Sequence, residues 1–117
     1  MEEARHADCI GRLRAREREL TAALARVEQD ARAAPEPGAQ DVADRAADSY
    51  ARESSLREVD QDRRWLALIR EALLRDAEGA YGLCVECGKP IESKRLDAVP
   101  WARHCIHCQE LQDQGLL

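Results

Sequence analysis

The chain has 117 residues, enough for one small domain with an extension, and it carries no Phe, two Trp and two Tyr, too few aromatics for a large compact core. Charged residues make up 35% and the formal net charge is −5, which disfavours a general phosphate-binding surface. No apolar run approaches the roughly 18 residues of a membrane span, and the opening MEEARHADCIGRLRARERE lacks the apolar stretch of a secretory signal, so a cytoplasmic protein without a membrane partner is expected.

Residues 2–34 predict a first long helix. Ile10, Leu13, Leu20, Leu24 and Val27 recur at helical spacing. With Ile10 at heptad position a, that position continues through Glu17, Leu24 and Ala31, and position d takes Leu13, Leu20, Val27 and Ala34. Glu17 is the one polar break in this seam. The basic run from Arg12 to Arg18 reads as a solvated face. Cys9, the cysteine outside any pattern, reads as an ordinary surface or seam residue. Pro35-Glu36-Pro37-Gly38 cannot continue a helix, because proline lacks the amide and clashes with the preceding turn; residues 35–40 are expected to form a loop.

A second helix is predicted from Asp41 or Val42 to Glu78. Asp41 is its candidate N-cap, and Asp44 suits the positive end of the helix dipole. Leu56, Val59, Leu66, Ile69 and Leu73 form its apolar stripe. Two helices of similar length with a short connection pack most economically as an antiparallel coiled-coil hairpin. At 1.5 Å per residue it would be a rod about 50 Å long. The expected organisation is a hairpin over residues 1–78, with its tip loop at about 35–43, followed by a separate module over 79–117.

That module carries Cys84, Cys87, Cys105 and Cys108. Cys-x2-Cys, seventeen residues, then Cys-x2-Cys offers two thiolates from each of two turns and completes the tetrahedron that Zn²⁺ prefers. One structural zinc is expected, since four protein sulfurs leave no position for water or substrate. Disulfides would need an oxidising compartment and would leave one thiol over. Extended pieces are predicted at 82–84, 87–91 and 96–101, and a short helix at about 106–114. His104 and His107 read as exposed or supporting groups, because the ligand set is already full. Trp101 is expected to cover the finger, and Trp65 lies among charged neighbours on the second helix. A zinc-ribbon adaptor for nucleic acid or a protein, dimerising through the hairpin, is the alternative reading. Against nucleic acid, the module has Lys89, Lys94, Arg95 and Arg103 but also Glu86, Glu92, Asp97, Glu110 and Asp113.

The stretches Tyr81–Ile91, Arg95–Pro100 and Cys105–Gln109 together resemble the zinc finger of the DksA/TraR family of bacterial transcription regulators. Asp41-Val42-Ala43-Asp44-Arg45-Ala46 is similar to that family's tip sequence, Asp-x-x-Asp-x-Ala. The resemblance implies a mainly α protein, a helical hairpin joined to a four-cysteine finger with a short C-terminal helix. It implies a protein that binds RNA polymerase directly, without sequence-specific DNA contacts of its own; a monomer is expected. The coiled coil would enter the secondary channel, and Asp41, Asp44, Arg45 and Ala46 would alter promoter-complex stability, in the setting of the stringent response. No catalytic activity is expected: the chain shows no open metal site, no nucleophile–base pair and no phosphate loop. The family's alarmone site uses basic side chains, and the aligned positions here are Leu68, Val99 and Gln109. None can pair with phosphate as Lys or Arg would, so no site for ppGpp is expected.

Overall fold

The computed structural model of the chain describes residues 2–33 and 42–117. The expected loop at 35–40 and the candidate cap Asp41 lie outside the described residues. Four helices account for most of the remainder: α1 (Glu3–Ala33), α2 (Val42–Ala77), α3 (Ser93–Ala98) and α4 (Ile106–Asp113). The fold is mainly α, as expected. The ends of α1, α2 and α4 fall within about a residue of the positions read from periodicity.

The chain forms two compact units: residues 1–17 with 67–117, and residues 18–66. In the first, Ile10, Leu13, Ile69 and Ala72 are buried, and the pairing of α1 with α2 runs antiparallel. Glu17 meets Arg70 at 3.3 Å, whereas His6, nearer the start of α1, meets Asp76, further along α2, at 2.6 Å. The polar break in the α1 seam is thus answered by a cation on α2. Both side chains of the Glu17–Arg70 pair stay substantially exposed, which limits its contribution to about 1 kcal/mol or less.

In the second unit Leu20, Val59 and Leu66 are buried. The expected seam does not close further: Val27 is 44% exposed and Leu56 63%. Leu24, Ala25, Val27, Ala31, Leu56 and Val59 instead share a groove of about 600 Å³. Alanines at 25 and 31 are too short to fill the space between two helices, so the larger residues beside them stay wet.

Helix α2 stops where the sequence demands it. Gly79 has φ +76°, a conformation that costs glycine little. Its N–H reaches the Asp76 carbonyl at 3.0 Å, and Ala80 N–H reaches Arg75 O at 2.8 Å. These two bonds form a Schellman cap. The extended piece expected over 96–101 is corrected. Ser93–Ala98 is helical, with Leu96 N–H bonded to Glu92 O at 3.1 Å and Leu96 only 1% exposed. The turn ends at Val99 because Pro100 disfavours helical backbone in the residue before it.

Leu13→Ala is expected to cost about 2–5 kcal/mol, the range for emptying a packed core site. Leu56→Ala should stay within about 0.5 kcal/mol. Urea denaturation followed by circular dichroism separates the two, and equal losses would contradict this packing.

Candidate metal centre

Two turns deliver the four cysteines. In the first, Leu83 and Pro90 form an isolated antiparallel bridge. Cys84 N–H donates to Lys89 O at 2.8 Å, and Gly88 N–H to Cys84 O at 2.9 Å. Gly88 has φ +74°, so the residue after Cys87 is glycine for a conformational reason. In the second, Cys105 caps α4: its sulfur accepts the Cys108 N–H at 3.4 Å. The Glu92 carboxylate accepts the Ile106 N–H at 3.3 Å. Val85 N–H donates to Arg103 O at 2.9 Å and ties the two turns together.

The four Sγ atoms lie within 4.8 Å of one another, and Cys87 Sγ sits 3.8 Å from Cys105 Sγ. A tetrahedron with Zn–S bonds of about 2.3 Å has edges of about 3.8 Å. The donor set and its spacing therefore fit zinc. Cys84, Cys105 and Cys108 are buried and Cys87 is exposed.

As thiols these groups do not titrate alike. Burial alone would push Cys84 up, but N–H donors from Cys87, Cys105 and Glu86 outweigh it and lower its pKa to about 6. Burial pushes Cys108 up, and hydrogen bonds with the Cys105, Cys84 and Cys87 sulfurs add to this, raising it to about 12. A ring this tight resists carrying four negative charges unless a divalent cation compensates them.

The floor of the finger includes a residue the sequence reading placed elsewhere. Cys9 of α1 is 0% exposed and belongs to one apolar cluster with Cys84, Ile91, Leu96, Ala102, Cys105 and Cys108. Its Sγ faces the Leu96 carbonyl at 3.9 Å. Beside it, burial raises the Tyr81 phenol well above its usual range, with a hydrogen bond to Cys9 adding to the effect. Tyr81 accordingly stays protonated and donates to Pro100 O at 2.8 Å. His6 stacks on the Tyr81 ring at 5.1 Å. Arg75 of α2 is also buried, and it reaches Glu71 at 2.9 Å and Ala102 O at 3.3 Å. The only sequence signal for Cys9 was its place one turn before Leu13.

Of the exposed or supporting positions expected for the two histidines, His104 takes a buried one. Its backbone carbonyl accepts from Arg95 Nε at 2.8 Å, and its ring stands 3.9 Å from Glu86. His107 is exposed. In the other unit, Asp44, Arg45 and Ala46 lie exposed at the start of α2, with Asp44 in its first turn.

In the folded, metal-free finger, zinc binding is expected to release the Cys108 proton at neutral pH, whereas the lowered pKa of Cys84 favours its thiolate before the metal binds. A thiol whose pKa falls on folding contributes stability above its ordinary value, about 8.5. That contribution is lost as pH falls through about 6. Zinc affinity should therefore drop more steeply below pH 6. Titration calorimetry in buffers of different ionisation enthalpy reads this directly, and proton release that stays constant from pH 5 to 8 would contradict it.

The prokaryotic dksA/traR C4-type zinc finger profile matches residues 79–114. Over 74 residues the chain is 39% identical to the RNA polymerase-binding transcription factor DksA of Caulobacter vibrioides, covering 63% of this chain and 52% of that protein. The chain thus spans about half the length of this curated relative. The structure of transcription factor DksA2 from Pseudomonas aeruginosa superposes with a TM-score of 0.81 at 33% identity, covering 98% of this chain and 88% of that one. The solution structure of the DnaK suppressor protein from Agrobacterium tumefaciens gives 0.57 at 32% identity, over 89% and 90%. A four-sulfur cluster of zinc dimensions, two long helices and likeness along almost the whole chain place this protein in the DksA/TraR family, as a member with one structural zinc.

Proposed function

We propose that this protein is a transcription regulator that binds RNA polymerase directly. The single observation that carries the reading is its likeness to the transcription factor DksA2 over 98% of the chain. In this reading the helical hairpin enters the secondary channel. Asp44, Arg45 and Ala46, with Asp41 before them, act on the promoter open complex. Cys84, Cys87, Cys105 and Cys108 hold the zinc and leave it no catalytic position. The protein acts as a cytoplasmic monomer without reading DNA sequence, consistent with its net charge of −5.

The reading includes independence from the alarmone. Leu68, Val99 and Gln109 line one depression, so the three substitutions fall on a single surface. Its two guanidinium groups are engaged: Arg95 with His104 O and the Gln109 amide, Arg103 with Glu71. A polyphosphate there would have to break those bonds first.

Asp44→Asn removes one charge and keeps the size of the side chain. It is expected to leave zinc content and polymerase binding intact and to abolish the effect on open-complex lifetime in transcription with purified components. Normal regulation by this variant would overturn the assignment. Adding ppGpp should change the wild-type effect by less than about twofold, and strong synergy through the Leu68–Val99–Gln109 surface would contradict the independence.

A further inference from the structure

The apolar groove between α1 and α2 lies wholly within residues 18–66. It has the length of a helix face rather than of a compact hole. From Leu56 to Leu66 is ten residues, about 15 Å along α2. Its wall carries large apolar side chains left wet, Val27 and Leu56, beside the short Ala25 and Ala31. Protruding and shallow positions thus share one face of one chain, the relief that knobs-into-holes packing needs. On α2 the apolar positions fall at 56, 59 and 66, the spacing by which an amphipathic helix lies in an apolar groove. The chain therefore carries both a groove and a helix face that suits it.

The charges on this wall also suit a second copy. Asp60 and Arg63 line the groove about one turn apart on α2, and both are exposed. Opposite charges at this spacing commonly pair along a helix, yet neither makes an ion pair among the described residues. The third charged lining residue, Glu28, already meets Arg32 at 2.5 Å. A two-fold axis crossing α2 midway between positions 60 and 63 sets α2 of one copy antiparallel to α2 of the other. It brings Asp60 of each copy to the level of Arg63 of the other, and Leu56 of each to the level of Leu66. One set of residues then supplies both halves of the contact, as an isologous interface requires.

We propose that the free protein associates with a second copy of itself through this groove, as an antiparallel two-fold dimer closed by Asp60–Arg63 pairs. Leu56 is the apolar anchor, because it protrudes furthest and has most to gain from burial. Three turns of helix on each copy place the contact at the small end of specific interfaces, about 1,200 Å² or less in total. The dimer is accordingly weak and concentration-dependent. It covers a face of the hairpin, so it stores the chain while the monomer is the form that acts on polymerase; this last consequence alone rests on the polymerase reading above.

The test is sedimentation equilibrium of the zinc-loaded full chain over a wide range of concentration. The wild-type mass is expected to rise from 13.1 kDa toward twice that value. Leu56→Glu is expected to weaken association at least about tenfold, with zinc content and helical circular dichroism unchanged. Asp60→Arg and Arg63→Asp each set like charges opposite one another and should weaken it about fivefold, more at low salt. Mixed in equal amounts, these two variants should associate within about threefold of wild type, because each supplies the charge the other lacks. A dimer left intact by Leu56→Glu, or a mixture no tighter than the single variants, overturns the interface. A wild-type chain that stays at 13.1 kDa throughout overturns the dimer, and loss of core RNA polymerase binding by Leu56→Glu in that case assigns the groove to polymerase. Failure of the wild type to bind polymerase overturns the earlier reading and leaves the dimer standing.

Discussion

Four sulfurs within 4.8 Å of one another are a liability as bare thiolates and an anchor around a divalent cation. The finger has little else to hold it: one isolated bridge, two helices of 6 and 8 residues, and a handful of apolar side chains. A module of this size buries little surface of its own. Zinc supplies the missing free energy, with apparent values of about 10–16 kcal/mol in comparable peptides. The glycine at 88, the Cys105 cap on α4 and the Glu92 contact with the Ile106 amide all shape the two turns to one tetrahedron.

The metal cluster is continuous with the base of the helices. Cys9 of α1 packs in the same core as three of the four cysteines, and Arg12 donates to the Asp97 carbonyl at 2.8 Å at the end of α3. From α2, Arg75 reaches Ala102 O, and Glu71 holds Arg103. One donor of Arg75, Nε, is buried without a partner among the described residues. Desolvation lowers its proton affinity while Glu71 opposes that effect. Burying a cation this way is expensive unless it is paired, and its pairing is what fastens finger to helix.

The parts of this arrangement legible in the sequence were those with a period or a fixed spacing. Helical periodicity located α1 and α2, and Cys-x2-Cys twice over announced the metal. The rest depended on contacts far apart in the chain. Nothing near Cys9 signals that Leu96, 87 positions later, will sit over it. Ser93–Ala98 reads as a connector because its one buried residue, Leu96, shows no period; only the finger core makes that turn helical. Periodicity also overstated the seam. Val27 and Leu56 carry the right spacing, but the alanines beside them leave a groove that spacing alone does not reveal. The depression beside the finger draws on residues from 68 to 112, and the resemblance marks three of them only as missing charges.

In the function proposed above, Asp44, Arg45 and Ala46 at the start of α2 act inside RNA polymerase. A photo-cross-linking amino acid placed at Arg45 tests it most directly. Irradiation of the zinc-loaded protein with core polymerase, followed by mass spectrometry, is expected to place the adducts along the secondary channel near the catalytic centre. Adducts confined to the outer surface of the enzyme, or none from a protein that binds it, would contradict the account.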